Sequence, residues 1–253
     1  MQKTNEKSSK IKDFMIKIKN SALNALYPTG IKCIFCDRDI PDFENKPYCE
    51  NCEKNELFNT GNRCMFCDMQ IPEGNRLCDF CAQNHRAFEK AFCPLSYHGD
   101  VRRTILKFKN DNGRYLAQPL AKLIYDRVAI ENVKIDLVIP VPSQKKTLKQ
   151  RGYNQSALLA QELAKMLDCE YSDIVTKTKV TADQKTLKYA KRLTNLEGSF
   201  ELIDKKIVKN KNILIVDDIM TTGSTLNEIA KLLKEKAARV YVAAAARDNF
   251  DQI

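Results

Sequence analysis

From Pro94 onward the chain alternates between two hydrophobic rhythms. Strand-like stretches rich in apolar residues occupy 95–97, 135–140, 213–216 and 239–246, the one at 213–216 without a polar interruption. A run without polar interruption suits a strand buried on both faces, the habit of parallel sheets. Between these runs apolar residues return every three or four positions. Leu116, Leu120, Leu123 and Ile124 form one such stripe, Leu159, Ala160, Leu163, Met166 and Leu167 a second, and Leu226, Ile229, Ala230 and Leu233 a third. The spacing predicts helices over 115–129, after Gln155 and after Thr225, with a basic helix over 101–109. Such alternation predicts an α/β domain, a parallel sheet with helices on both faces, over 92–253. Ligands of these sheets bind beyond the carboxyl ends of the strands. Asp217 and the polar stretch 142–152, expected as a loop, fall at that edge.

The pattern breaks in three places. Residues 1–30 form a basic leader in which Ile11, Phe14, Met15, Ile18, Ala22 and Leu26 share helical spacing. A helix packed on the rest of the protein, or a partly ordered leader, is expected there; a membrane-surface or partner-binding helix is the alternative. Residues 176–199 lack an apolar run and carry Lys177, Lys179, Lys185, Lys188, Lys191 and Arg192. An exposed basic segment is expected. Residues 31–84 have neither rhythm and are organised by cysteine.

That cysteine pattern is an internal repeat. Cys33-Ile34-Phe35-Cys36-Asp37, Ile40-Pro41 and Cys49-x-x-Cys52 are followed by Cys64-Met65-Phe66-Cys67-Asp68, Ile71-Pro72 and Cys78-x-x-Cys81. Each copy supplies four thiolates on two tight knuckles, the donor set of a closed tetrahedral Zn²⁺ site. Two structural zinc ribbons are therefore expected, with the boundary to the α/β domain between residues 82 and 92. The repeat favours sequential pairing, Cys33/Cys36/Cys49/Cys52 and Cys64/Cys67/Cys78/Cys81, over an interleaved, cross-braced set. Phe35, Phe66 and Phe80 are expected beside the metals. Cys93 and Cys169 read as ordinary packed or surface thiols.

Composition narrows the setting. No apolar run approaches the roughly 20 residues of a membrane span, and the Lys-rich start lacks the apolar core of an export signal. Cysteines arranged for metal point to a reducing cytoplasm. A net charge of +10, from 42 Lys+Arg against 32 Asp+Glu, favours an anionic partner such as nucleic acid.

The most informative stretch is Asn-Ile-Leu-Ile-Val-Asp-Asp-Ile-Met-Thr-Thr-Gly-Ser-Thr, residues 212–225. A buried strand runs into two acids, then into a hydroxyl-rich turn and a helix N-terminus. Outward N–H groups and the helix dipole suit a phosphate. Asp217 and Asp218 repel a bare phosphate but accept from the hydroxyls of a sugar that carries one. A strand-ending acid pair that caps the next helix explains one such side chain, not two acids, four hydroxyls and a glycine. The stretch resembles the phosphoribosyl-pyrophosphate signature of type I phosphoribosyltransferases. The resemblance implies that Asp217 and Asp218 hold the ribose hydroxyls and that Thr221, Thr222, Gly223, Ser224 and Thr225 wrap the 5′-phosphate. Lys145, Lys146, Lys149 and Arg151 are candidates for a pyrophosphate clamp, with Mg²⁺ accompanying the ligand.

Further residues make the match narrower. Tyr97-x-Gly99, Leu106-Lys107-Phe108, Asp136-x-x-Ile139-Pro140-Val141-Pro142, Arg151-Gly152-Tyr153-Asn154-Gln155-Ser156, Gln184, Arg192-x-x-Asn195 and Phe200 accompany the ribbons and the signature. Together they resemble the ComF family of bacterial competence proteins from Cys33 almost to the C-terminus. Lys236-Ala237-Ala238 departs from the family's Gly-Ala before the last strand. The resemblance implies a cytoplasmic protein that handles single-stranded DNA during natural transformation, associated with the inner membrane face through the uptake machinery. A DNA-translocating helicase or recombination-loading protein is the implied partner.

Two readings stay open. In one, a phosphoribosyl site senses phosphoribosyl pyrophosphate or a nucleotide-like ligand while Lys185, Lys188 and Arg192 grip DNA phosphates. In the other, the chain is an active phosphoribosyltransferase, which the intact acid pair favours; no base-recognition element stands out.

Overall fold

A computed structural model describes residues 32–40, 46–110, 113–178 and 198–249. The leader and Lys185, Lys188 and Arg192 lie outside the described residues. The chain divides into two compact units, Met1–Glu50 and Asn51–Ile253.

In the first unit the cysteine knuckle is a tight turn. Cys33 N–H donates to the Arg38 carbonyl and Asp37 N–H to the Cys33 carbonyl, at 2.8 and 2.9 Å. Asp37 takes the left-handed conformation at φ 57°, which acidic side chains tolerate by bonding locally. The Phe35 ring is buried and lies 6.4 Å from that of Tyr48.

The second unit opens with the same turn. Cys64 N–H donates to Met69 at 2.8 Å, Asp68 N–H to Cys64 at 3.0 Å, and Asp68 stands at φ 58°. The sequence repeat is therefore a structural repeat. The later knuckle of each copy is closed by a short helical turn that carries its second cysteine, α1 (Glu50–Glu53) with Cys52 and α2 (Asp79–Gln83) with Cys81.

Among the described residues six parallel strands build the sheet: β1 (Ala91–Phe92), β2 (Leu95–Ser96), β3 (Leu137–Pro140), β4 (Glu170–Tyr171), β7 (Asn212–Met220) and β8 (Arg239–Arg247). Their order is β1-β8-β7-β3-β4, with β2 also paired to β8. Between β1 and β2 the edge strand breaks at Cys93 and Pro94, where proline has no N–H for a ladder. Ribbon residues fill the break. Asp68 accepts from Cys93 N–H at 2.8 Å, and Asn59 donates to the Cys93 and Pro94 carbonyls. Every polar backbone atom freed by the break is thus paired.

Helices α3 (Gly99–Asn110), α4 (Ala117–Ala129), α6 (Gln155–Met166) and α7 (Ser224–Lys234) cover the sheet. Their buried residues follow the predicted stripes, except that Met166 and Leu167 are half-buried. On one face Ile213, Ile215, Val240, Val242 and Ala244 share a single apolar core with Leu226, Ile229 and Leu233 of α7 and the four cysteines of the second ribbon. A small antiparallel pair, β5 (Val175–Lys177) and β6 (Phe200–Leu202), stands apart.

Three local expectations need correction. Residues 113–116 form a 3₁₀ turn rather than the start of α4. A Cβ on Gly113 would stand 2.5 Å from the Lys107 carbonyl oxygen, so the chain turns where only glycine fits. The stretch expected as a polar loop contains a helix, α5 (Lys145–Arg151). Its residues are strong helix formers, and it lacks the apolar stripe that marks a buried helix. Finally, β7 does not stop at the acids but continues to Met220, because β8 pairs with it as far as Met220 against Arg247.

Candidate functional site

The two cysteine sets assemble sequentially. The Sγ atoms of Cys33, Cys36, Cys49 and Cys52 lie within 4.8 Å of one another, as do those of Cys64, Cys67, Cys78 and Cys81. Cys36 and Cys49 sulfurs are 3.6 Å apart, and so are those of Cys67 and Cys78. A tetrahedron with the 2.3 Å arms of zinc–thiolate has edges of about 3.8 Å. The spacing fits such an ion. All four cysteines of the second set are buried. Four thiolates at this distance need a cation between them. Each set can hold a metal ion with no open coordination position.

The second site forms at the carboxyl edge of the sheet. β7 carries Asp217 and Asp218 outward past the last β3 pair, Pro140 with Val216. After Met220 the chain turns through Thr221 and Thr222 to Gly223, which caps α7 at φ 72°. Glycine meets that left-handed conformation without strain. The Thr222 and Ser224 hydroxyls are 2.6 Å apart, and Ser224 N–H donates to the Thr222 hydroxyl at 3.2 Å.

Asp217 accepts from the Ser156 hydroxyl and from Asp218 N–H, each at 2.8 Å. Burial first, and the charge of Asp218 second, push its carboxyl up to about 7; the Ser156 bond pulls the other way. Asp218 pairs with Lys109 at 3.1 Å, both side chains largely shielded from solvent. The acids are thus supported from two different helices.

The run from Arg151 to Ser156 makes that support. Asn154 caps α6 by accepting from Ser156 N–H at 3.1 Å, and its amide donates to the Val141 carbonyl at 3.0 Å. Tyr153 donates to the Phe108 carbonyl at 2.5 Å and Gln155 to the Lys109 carbonyl at 3.2 Å. These two bonds fix the end of α3, and with it Lys109, beside Asp218. Arg114 lies over the Tyr153 ring and donates to the Gly152 carbonyl.

Asp217, Asp218 and residues 221–225 therefore occupy one continuous edge. Lys145, Lys146, Lys149 and Arg151 all fall on α5, which leaves the carboxyl end of β3. Lys146 and Lys149 are exposed, and Arg151 donates to Gln155 at 3.3 Å. Sequence reasoning missed two contributors to the site, Ser156 and Lys109. Both stand in or beside runs picked out as motifs, but their partners lie 61 and 109 positions away, beyond any local pattern.

Outside the site, Cys93 is fully buried, and burial pushes its thiol well above the usual range; burial raises that of Cys169 to about 11. Among the described residues no helix is long and apolar enough to cross a membrane.

A family model described as a phosphoribosyl transferase domain matches residues 153–251. Competence protein F of Haemophilus influenzae is 31% identical over 210 residues, spanning 80% of this chain and 84% of that protein. DNA utilization protein YhgH of Escherichia coli is 33% identical over 172 residues, 65% of this chain and 75% of that one. Among solved structures, a glutamine phosphoribosylpyrophosphate amidotransferase from B. subtilis aligns with TM-score 0.40 and 18% identity, over 56% of this chain and 30% of that one.

Proposed function

The chain belongs to the ComF family of competence proteins, and from that premise we propose that it handles single-stranded DNA during transformation through a phosphoribosyl-pyrophosphate-binding domain. One observation carries the reading. Two carboxylates, Asp217 and Asp218, stand near the carboxyl end of a central strand, with Ile219 and Met220 between them and the hydroxyl-rich turn that opens helix α7. The acids accept from the ribose 2′- and 3′-hydroxyls, and residues 221–225 take the 5′-phosphate at the helix N-terminus. Lys145, Lys146, Lys149 and Arg151 face the pyrophosphate, with Mg²⁺ offsetting its charge. The metal held by each cysteine quartet is Zn²⁺, in a structural role.

On this reading the basic stretch around Lys185, Lys188 and Arg192 contacts DNA phosphates. The leader 1–30, the ribbons 31–84 and the transferase-like domain 92–253 act as successive parts of one cytoplasmic protein. A helicase or recombination-loading protein of the uptake machinery is its partner. A second reading, active phosphoribosyl transfer, is favoured by the acid pair itself, since a protein that only bound DNA has little use for two ribose-facing carboxylates.

The test is the double variant Asp217→Asn, Asp218→Asn. It is expected to lose phosphoribosyl pyrophosphate binding by calorimetry while keeping the native fold by circular dichroism. Binding at native affinity would sink the site assignment.

A further inference from the structure

The turn after Met220 is held from behind by two arginines, and both also reach the second ribbon. Arg86 donates through Nε to the Cys81 sulfur at 3.3 Å and through a terminal nitrogen to the Thr222 carbonyl at 3.0 Å. Its guanidinium rests 4.4 Å from the Phe80 ring centre and 5.6 Å from that of Phe88. Arg247, only 2% exposed, donates to the Cys67 carbonyl at 3.0 Å and approaches the Cys67 sulfur at 3.8 Å. Its other arm donates to the carbonyls of Met220 and Asp248, at 2.8 and 2.7 Å, and to that of Thr221. Next to Arg86, Ala87 N–H donates to the Asn227 side chain in the first turn of α7, at 2.8 Å.

We propose that Arg86 and Arg247 are positioning residues that couple metal loading of the second ribbon to the shape of the phosphate turn. The proposal rests on reading that turn as the phosphate site. Three successive carbonyls, of Met220, Thr221 and Thr222, are tied toward the ribbon side. In a planar trans peptide the N–H points opposite to its carbonyl, and no described peptide bond is cis. The N–H groups of Thr221, Thr222 and Gly223 are therefore turned away from the arginines, as a cradle for an anion requires.

The sulfur contacts supply the link to the metal. Hydrogen bonds to ligating thiolates orient them and change metal affinity when removed. Four thiolates around a divalent ion also leave the cluster net negative, which gives the buried Arg247 guanidinium its counter-charge. Loss of the ion removes both the charge and the fixed sulfurs that hold the two guanidinium forks. Because coupling is reciprocal, ligand in the turn must in the same measure retain metal in the ribbon.

The full zinc-loaded chain, Arg86→Gln and Arg247→Lys are compared by two measurements. Lysine keeps the charge of Arg247 but cannot span sulfur and carbonyl with one planar fork. Hydrogen exchange at the Asn227 and Asp248 amides, which donate to the Gly223 and Met220 carbonyls of the turn, is expected to quicken in both variants, and in the native chain once its zinc is chelated, with residues 117–129 unchanged. Zinc transfer to a colorimetric chelator is then followed with and without phosphoribosyl pyrophosphate. The ligand is expected to slow one release phase of the native chain, by about tenfold on the usual scale of coupling. That phase should be fast and indifferent to ligand in Arg86→Gln, a dependence that a merely structural role would not produce. Unchanged exchange in Arg86→Gln overturns the proposal, as does ligand-dependent release that survives the substitution. If phosphoribosyl pyrophosphate fails to bind the native chain, the functional reading falls, and the exchange comparison alone decides the role of the arginines. Should Arg247→Lys fail to fold, Arg86→Gln carries the test.

Discussion

Substituting Ser156 by alanine isolates the electrostatics of Asp217. The serine hydroxyl donates to that carboxyl at 2.8 Å, while Asn154 still caps the helix by accepting from the backbone N–H of residue 156. The fold is therefore expected to stand. A hydrogen bond to a charged group contributes about 1.5–3 kcal/mol. Asp217 sits at about 7 with the bond in place. Losing the lower figure raises it by about one unit, since a unit corresponds to about 1.4 kcal/mol. At pH 7 the ionised fraction then falls from about one half to about one tenth. If ribose hydroxyls donate to the ionised carboxylate, phosphoribosyl pyrophosphate binds Ser156→Ala about fivefold more weakly at pH 7, and near-normally at about pH 9. Calorimetric titration across that range is the assay. A defect of equal size at both pH values, or none at either, would refute the reasoning.

Other outcomes follow from the same structure. In the native protein the raised carboxyl of Asp217 holds a proton that the unfolded chain releases, between the ordinary carboxylate range near 4 and about 7. Its contribution to stability therefore falls as pH rises through that window, and Asp217→Asn should flatten this part of a urea-denaturation profile against pH. Gly113→Ala forces a Cβ to within 2.5 Å of the Lys107 carbonyl oxygen. Overpacking of that kind costs about 1–3 kcal/mol, so an unchanged thermal midpoint would contradict the tight turn. Charge reversal at Lys185 and Lys188 is expected to weaken single-stranded DNA binding and flatten its dependence on salt; equal affinity and slope would remove DNA from that segment.

What could be read from the chain alone was whatever repeats over short spans. The run Ile213–Val216 announced its strand because burial on both faces excludes polar residues, and the cysteine quartets announced themselves because each knuckle is local. The ordering of the site was not legible. Ser156 reaches Asp217 and Lys109 reaches Asp218 only after β3, α6 and β7 have packed, and no periodicity encodes such a meeting. Helix α5 escaped notice for the opposite reason: its stability is local, but it has no apolar face to betray it. The break at Pro94 is not legible because Asn59 and Asp68, which pair with Cys93, lie 34 and 25 positions away in the ribbon, beyond any local pattern.

The most direct test of the account is calorimetric titration of the zinc-loaded chain with phosphoribosyl pyrophosphate and Mg²⁺, with and without single-stranded DNA. Micromolar binding that changes when DNA is present is the predicted result, and it makes the chain a nucleotide-linked DNA-handling protein. No binding in either condition would contradict the central claim and reduce the acid pair and its turn to a scaffold.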